Sequence, residues 1–361
     1  FSMTGSRRYL DQMIRIADSY CLEVLPINGG LPAHRWDFTA HKPTVDTLSL
    51  NDHGNEIILG LVEAFICAQE HAPEHAARWR PSLDLMFRRL LDHCRNEDGL
   101  WAGVVTASTA AVRDPHSPDT WGYALVGLVA YADASSNAAL LAEARSMLKA
   151  LKNPRYSVWN GADAYADAIE GAILLRSRLK SPEIDEWLLR VLPIFLARQR
   201  DTGIVEGWYG DGNYARTALM AALWMTEGVY CTPWQEGLRL SAVRSGNGLT
   251  IRLASDRPWS GMMHFDTARH REVLRLKRNY PRLNHWPEWF TVDRNAAYRV
   301  IGIGPKPLEV SGAALAAGLR VSLTKATRLN IRIEQKTGPQ GNKAVMSASN
   351  GNVSGHVTLP D

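Results

Sequence analysis

The sequence predicts a multidomain chain in which helices come first and strands follow, namely an α/α-hairpin toroid and then an antiparallel β-sandwich. Up to about residue 232, helices with one charged face alternate with more apolar helices, and loops rich in Gly and Trp join them. Because paired helices in series wrap into a ring or superhelix, this alternation favours a toroid. After Pro233, apolar residues recur at every second position, which is the period of a half-buried strand.

The helical part divides into outer and inner helices. An apolar stripe opposite charged residues over 6–25 is typical of an outer helix. The segment 52–70 is apolar on one side and carries Gly60, Ala64 and Ala68 on another, which indicates an inner helix wedged between neighbours. The alternation continues to residue 232, the predicted end of the toroid. It predicts outer helices over 79–95, 138–152 and 182–200, and inner helices over 119–133, 163–178 and 213–228.

The strand part is assigned to residues 233–334. Apolar alternation over 238–243 and 249–253 flanks Ser-Gly-Asn-Gly, which is a strong signal of a β-hairpin. Residues 335–361 are rich in Gly, Ser and Asn and are predicted to be a weakly specified edge or tail. Shorter strands are predicted at 262–266, 271–276, 289–293, 298–303, 318–323 and 328–333.

Composition limits the classes of function. The chain has 41 basic and 37 acidic residues and no Lys/Arg block, so we expect no nucleic-acid partner. No apolar run reaches the ~18 residues of a membrane span. The four cysteines lie far apart and are predicted to be free thiols, and we expect neither a metal nor another cofactor. Twelve Trp against seven Phe suit stacking on sugar rings as well as core filling. The compartment stays open.

The densest polar cluster is Asn51-Asp52-His53-Gly54-Asn55-Glu56, at the start of the first inner helix. Capping of the helix explains one or two of these groups, which leaves His53 for another role. The positive end of a helix favours an ionised carboxylate, so Asp52 would need burial to act as a proton donor. Asn55 and Glu56 are candidates for substrate binding.

The most site-like segment is 206–216. Glu206, Asp211, Tyr214 and Arg216 supply an acid, a base and a cation, and Arg216 would hold a uronate carboxylate through two hydrogen bonds. The alternative is a Gly-rich turn in which Asp211 or Asn213 caps the helix. Trp208 and Tyr209 provide stacking surfaces in either case.

Two other junctions and one loop complete the candidate site. Capping alone would explain Asp119 and Asp163, but toroid geometry would bring both junctions to one mouth, together with Trp121 and Tyr123. The polar and aromatic loop 279–290 is either packed between the domains or folded over the cleft. Its candidate substrate contacts are Arg282, Trp286 and Glu288.

A resemblance to a known family involves the first loop and the first inner helix. The chain resembles the unsaturated glucuronyl hydrolases of the six-hairpin glycosidase superfamily in one local pattern, a loop with Trp36, Asp37 and Phe38 followed by Asn51 and Asp52. The resemblance implies a catalytic role for Asp52 alone, as the acid. Trp36 and Asp37 are further candidates for substrate binding. The family follows this Asp with Ser and Ala, whereas His and Gly follow it here.

The hairpin layout is also similar to that of polysaccharide lyases that join a toroid to a β-sandwich. Four hairpins fall short of six, so either the toroid is incomplete or an N-terminal portion is absent from this chain.

We therefore predict a carbohydrate-active enzyme of the glycoside hydrolase type, which cleaves an oligo- or polysaccharide that contains uronate. Asp52 with Asp211 or Glu206 would be the two carboxylates. Trp36, Trp121 and Trp208 would be the sugar platforms.

Two alternatives stay open. In a lyase, His53 or Asn55 would neutralise the uronate, Tyr214 or Tyr123 would be the base, and Arg216 would bind the acid group. The other alternative is a glycan-binding or scaffold domain without catalysis.

Overall fold

The computed structural model describes residues 1, 4–51, 53–205, 212–275 and 286–336. Helices fill most of the first part of the chain, and a π-helical turn at Tyr20–Val24 continues the first of them. They are α1 (Arg7–Ser19), α2 (Leu25–Ile27), α3 (Gly54–His71), α4 (Pro73–His93), α5 (Trp121–Ser135), α6 (Ala138–Met147), α7 (Gly161–Arg178), α8 (Pro182–Leu196) and α9 (Gly212–Met225). Short 3₁₀ segments follow α6, at Leu148–Lys152 and Pro154–Ser157.

The predicted alternation of inner and outer helices agrees with the observed packing. The inner helices lie side by side in chain order, so that α3 packs on α5, α5 on α7, and α7 on α9. Each of α3, α5 and α7 also packs against the outer helix that follows it. Every residue of α5 except Asp133 is buried, as expected of a helix enclosed on all sides.

One helix begins earlier than predicted. The outer helix predicted over 79–95 begins at Pro73, because proline at a first-turn position gives up no hydrogen bond that the helix needs. Short strands lie in the loops of the helical part and were not predicted. They are β1 (Arg35–Asp37), β2 (Lys42–Val45), β3 (Leu48–Ser49), β4 (Val104–Val105) and β5 (Val112–Asp114).

The second part of the chain forms two antiparallel sheets. The strands are β6 (Tyr230–Thr232), β7 (Leu238–Ser245), β8 (Gly248–Ser255), β9 (Trp259–His264), β10 (Ala297–Ile301), β11 (Leu308–Ser311), β12 (Leu319–Leu323) and β13 (Thr327–Gln335). The strand orders are β11-β10-β13-β8-β7 and β12-β9-β6. The predicted hairpin is present, and Ser245 pairs with Gly248 across its turn. Two short helices are α10 (Arg269–Glu272) and α11 (Gly312–Ala317).

Two predicted strands are wrong. Residues 271–276 begin inside α10 instead, and 289–293 form only a single bridge, between Asp266 and Thr291. Alternation in such short segments does not separate a strand from a loop whose alternate residues are buried. Nearly all of the predicted tail lies outside the described residues.

The buried residues form two hydrophobic cores. The first joins the helices from Ala17 to Ala221 and also includes Trp289. The second runs from Val229 to Ile333 and takes side chains from both sheets. Among the described helices, none has the combined length and apolarity needed to cross a membrane.

Candidate functional site

Side chains from the N-terminal parts of three neighbouring inner helices meet in one polar network. The residues of α7 that contribute lie at spacings of four and three, so they share one face of the helix. We call this network the acidic cluster, and it consists of Asp119 and Tyr123 at the start of α5, Asp163, Asp167 and Glu170 of α7, and Asn213 and Arg216 of α9.

The Tyr123 hydroxyl lies at the centre of the acidic cluster. Its oxygen is 2.9 Å from Oδ1 of Asp167 and 2.7 Å from Oε2 of Glu170. Nη2 of Arg216 is 2.6 Å from the same Glu170 oxygen and 3.5 Å from Oδ1 of Asp167. Two carboxylates of α7 are thus held between a hydroxyl from α5 and a guanidinium from α9.

Asn213 extends the network towards solvent. Nη1 of Arg216 donates to Oδ1 of Asn213 at 3.1 Å, and Nδ2 of Asn213 donates to Oδ1 of Asp163 at 2.7 Å. Burial falls in the same direction, because the Glu170 side chain is fully buried, that of Asp167 is 21% exposed, and Asp163 lies at the surface. A ligand would therefore meet Asp163 and Asp167 before the deeper groups.

Two glycines explain why α5 and α7 approach so closely. A Cβ atom on Gly122 would lie 2.6 Å from the Cα of Gly171, and one on Gly171 would lie 2.8 Å from the Cα of Gly122. Only residues without a Cβ fit at such a crossing. Because Tyr123 and Glu170 adjoin these glycines in sequence, the same contact brings the hydroxyl to the carboxylates.

The surroundings of Asp167 favour its protonated form. Burial raises the pKa of Asp167 from its ordinary value of 3.8 to about 6, and repulsion from Asp163 and Asp119 adds to the rise. The hydrogen bond from Tyr123 and the charge of Arg216 act in the opposite direction. A carboxyl group that titrates near neutral pH is suited to donate a proton in catalysis.

Asp119 lies close enough to Asp163 for their charges to interact. Burial raises the pKa of Asp119, and the Asp163 charge raises it further, although the backbone N–H of Thr120 donates to the Asp119 carboxylate at 2.8 Å. The two acids predicted to share a mouth, one before α5 and one in α7, therefore lie within electrostatic range of each other.

Burial also raises the pKa of the Tyr123 hydroxyl far above its ordinary range, and the charges of Glu170 and Asp167 add to this rise. Loss of its proton would place a third negative charge between two carboxylates. Tyr123 is therefore a hydrogen-bond donor and a poor base.

The start of the first inner helix has a different character. His53 is exposed and lies 3.3 Å from Oε2 of Glu56, one turn further on and also exposed. Asn55 is buried, and its Nδ2 donates to the carbonyl of Leu50 at 3.1 Å. Asp52, the acid that the family resemblance implies, lies outside the described residues.

The first three residues of the family resemblance, Trp36, Asp37 and Phe38, lie in the β1–β2 hairpin. Nε1 of Trp36 donates to Oε1 of Glu23 at 2.9 Å. The backbone N–H groups of Ala40 and Thr39 donate to Asp37 and lower the pKa of its carboxyl. The structure thus gives Asp37 a turn-forming role.

Two aromatic candidates are buried in the core. Trp121 has no exposed surface and packs edge-on against Trp187, with ring centroids 5.5 Å apart. Tyr214 packs on Phe195 at 4.4 Å, and its hydroxyl donates to the carbonyl of Leu196 at 3.3 Å. Neither ring presents a face to a ligand, so the platform role of Trp121 and the base role of Tyr214 are not retained.

The loop before residue 290 packs between the two parts of the chain where it is described. Trp286 contacts the helical core, and its carbonyl accepts hydrogen bonds from α10. Trp286 also lines a pocket of about 720 Å³ between α9 and the β6–β7 region, whose walls are mostly apolar. Arg282 lies outside the described residues, as do Glu206, Trp208, Tyr209 and Asp211.

Asp167 and Glu170 were not predicted as site residues. The signal was present, since Asp163, Asp167 and Glu170 recur with helical spacing on a helix that is otherwise apolar as far as its last turn. In the described ranges, no set of three or more His, Cys, Asp or Glu side chains is arranged to hold a metal ion.

Comparison with known proteins gives distant likenesses only. No family model matches the chain, and no curated protein matches it. Solved structures that match include a cellobiose 2-epimerase from Spirochaeta thermophila, with a TM-score of 0.35 and 13% identity over 54% of this chain and 56% of that one.

Two further matches are an unsaturated glucuronyl hydrolase specific for heparin and a sugar epimerase from a ruminal bacterium. The hydrolase has a TM-score of 0.39 and 12% identity over 58% of this chain and 60% of its own. The epimerase has a TM-score of 0.36 and 12% identity over 59% of this chain and 64% of its own. All three have the six-hairpin glycosidase-like fold, and this chain spans less than two thirds of the length of each.

Proposed function

We propose that this chain is a carbohydrate-active enzyme that hydrolyses a glycosidic bond, with Asp167 as the proton donor. One observation carries the proposal. Asp167 is a partly exposed carboxyl group with a pKa of about 6, one helical turn from the surface carboxylate of Asp163. Glycoside hydrolysis uses one protonated and one ionised carboxyl group on either side of the bond.

Asp163 is the proposed second carboxylate. It lies at the surface, and the Asn213 amide donates to it, which holds its Oδ1 in place. Asp119 is the alternative partner, because its carboxylate interacts electrostatically with that of Asp163. Asp52, Glu206 and Asp211 were also predicted for these roles, and they stay predictions because they lie outside the described residues.

Hydrolysis fits the acidic cluster better than β-elimination does. A lyase needs a base that removes the proton beside the uronate carboxylate, and Tyr123 is a poor base because its pKa is raised. A lyase also needs a cation for the uronate, and Nη2 of Arg216 already lies 2.6 Å from Glu170.

Charge also bears on the class of sugar. The cluster contains four acids, Asp119, Asp163, Asp167 and Glu170, and the Arg216 guanidinium is paired with the last two of them. A negative charge on the substrate would be repelled by these carboxylates at short range. We therefore propose a neutral sugar at the bond to be cleaved, in place of the uronate expected from the sequence.

The test uses the whole chain with neutral oligosaccharides and, separately, with uronate oligosaccharides. New reducing ends without ultraviolet absorbance of a conjugated enoate are expected from the neutral set. Asp167→Asn should lower the rate by about 10²–10⁴-fold, the usual contribution of a general acid. Asp133→Asn is the matched control, because Asp133 is an exposed acid at the opposite end of α5.

Three results would contradict the proposal. Enoate products would show a lyase. Full activity of Asp167→Asn would remove its role as proton donor. Binding of oligosaccharides without any cleavage would favour the alternative of a glycan-binding domain.

A further inference from the structure

The Tyr123 hydroxyl has two carboxylate neighbours but a single proton. Both carboxylate oxygens lie within hydrogen-bond distance, at 2.9 Å for Asp167 and 2.7 Å for Glu170. A hydroxyl group donates one hydrogen bond and accepts others. Tyr123 can therefore donate to both carboxylates only in turn, unless one of them is protonated and donates to the tyrosine oxygen.

The Arg216 guanidinium has the same two neighbours. Its Nη2 atom is close to Glu170, at 2.6 Å, and further from Asp167, at 3.5 Å. The Glu170 side chain is fully buried, and a buried carboxylate needs both a counter-charge and hydrogen bonds. Glu170 thus competes with Asp167 for the two groups that stabilise an ionised carboxylate.

We propose that Glu170 is a positioning residue that governs whether Asp167 holds or releases its proton, by competing for the Tyr123 hydroxyl and the Arg216 guanidinium. When Asp167 is protonated, its O–H donates to the Tyr123 oxygen and Tyr123 donates to Glu170. When Asp167 has given its proton to the leaving-group oxygen, the Tyr123 O–H turns to the new carboxylate. The tyrosine keeps its own proton throughout.

Other charged groups near Asp167 act in a fixed direction. Asp119 before α5 and Asp163 on α7 oppose its ionisation, whereas Arg216 on α9 favours it. The Tyr123 hydroxyl differs from them because rotation about one bond changes which carboxylate it serves. The catalytic meaning of this exchange depends on the proposed role of Asp167 in hydrolysis.

Two substitutions should shift the titration of Asp167 in opposite directions. Tyr123→Phe removes a donor to the ionised form, so the pKa of Asp167 should rise. Glu170→Gln removes the competing charge, so that Arg216 and Tyr123 turn to Asp167 and its pKa should fall. Each change should alter the proton dissociation constant of Asp167 about tenfold, because close charges and hydrogen bonds have effects of that size.

The experiment is a ¹³C NMR titration of the full chain with labelled aspartate carboxyl groups. The Asp167 resonance is assigned by its loss in Asp167→Asn. Tyr131→Phe is the matched control, because Tyr131 lies on the same helix and donates to Asp84 at 2.7 Å. The control should leave the titration of Asp167 unchanged.

If Tyr123 and Glu170 had only a structural role, both substitutions would shift the pKa of Asp167 in the same direction, or neither would shift it. Either result would overturn the proposal. If Glu170→Gln does not fold, Tyr123→Phe decides by the sign of its shift. The titration needs no substrate, so it can fail while the hydrolase proposal stands. Cleavage by the wild-type chain tests that proposal separately.

Discussion

Replacing Asp167 by Asn should stabilise the folded chain at neutral pH, although it removes the proposed proton donor. The pKa of Asp167 is raised from 3.8 to about 6, chiefly by burial, so the folded chain binds this proton more tightly than the unfolded chain does. The stabilising effect of this proton is complete below 3.8 and is lost as the pH rises through about 6.

The size of this effect follows from the two pKa values. A difference of one pKa unit corresponds to ~1.4 kcal/mol, so the ionised Asp167 costs at most ~3 kcal/mol of folding free energy above the window. Asn removes the charge and keeps an oxygen that accepts the hydrogen bond from Tyr123. The folded variant should therefore be more stable than the wild-type chain by up to this amount at neutral pH, and equally stable in acid.

Urea unfolding of the wild-type chain and of Asp167→Asn, at pH values above 6 and below 3.8, measures this gain directly. Acid destabilises both proteins through their other carboxylates, but that effect cancels in the difference between them. Asp133→Asn gives the baseline for an exposed Asp-to-Asn change on an inner helix. A variant that is less stable than the wild-type chain at neutral pH, or a difference in stability that does not depend on pH, would contradict this prediction.

Three other substitutions or comparisons test the site. Glu170→Ala removes the carboxylate closest to Arg216 and should lower the free energy of unfolding, measured in urea, by ~3–5 kcal/mol. The double variant Glu170→Ala with Arg216→Met should lose less stability than the sum of the losses in the two single variants. Gly171→Ala should lower the free energy of unfolding by ~1–3 kcal/mol, because the added Cβ would press on α5. Gly60→Ala should raise it by up to ~1 kcal/mol in the same assay, because a Cβ at Gly60 would meet open space. Neutral oligosaccharides should be cleaved with at least about tenfold higher kcat/KM than matched uronates, and equal values would contradict the proposed role of charge.

The pattern of apolar residues predicted the helices well because the burial of each helix follows that pattern. The apolar run of α5 indicates a helix enclosed on all sides, and α5 is buried along nearly its whole length. The β7–β8 hairpin was equally predictable, because its alternation and its Gly-Asn turn agree. Short segments failed, as at 271–276, where a few alternating residues fit more than one backbone conformation.

The site was harder to predict, because its geometry depends on contacts between residues distant in sequence. The close approach of Gly122 and Gly171 has no local signal, yet it determines which side chains meet. Trp121 stands beside candidate residues in sequence, but its place against Trp187 is set by how the helices pack. Acids near a helix start were interpreted as caps, so the deeper Glu170 received no weight.

Glu170 and Asp167 lie one turn apart on α7, and the fold treats them differently. The fully buried Glu170 has Arg216 at 2.6 Å and the Tyr123 hydroxyl at 2.7 Å, as the stability of a buried carboxylate requires. Asp167 lies further than Glu170 from both Arg216 and the Tyr123 hydroxyl, and two other acids lie near it. Its ionised form is therefore stabilised only in part. A carboxyl group kept in such surroundings costs stability, and that cost is typical of a functional residue. The two acids should therefore respond differently to substitution. Loss of Glu170 should lower stability, whereas Asp167→Asn should raise stability at neutral pH and lower the rate of cleavage by about 10²–10⁴-fold.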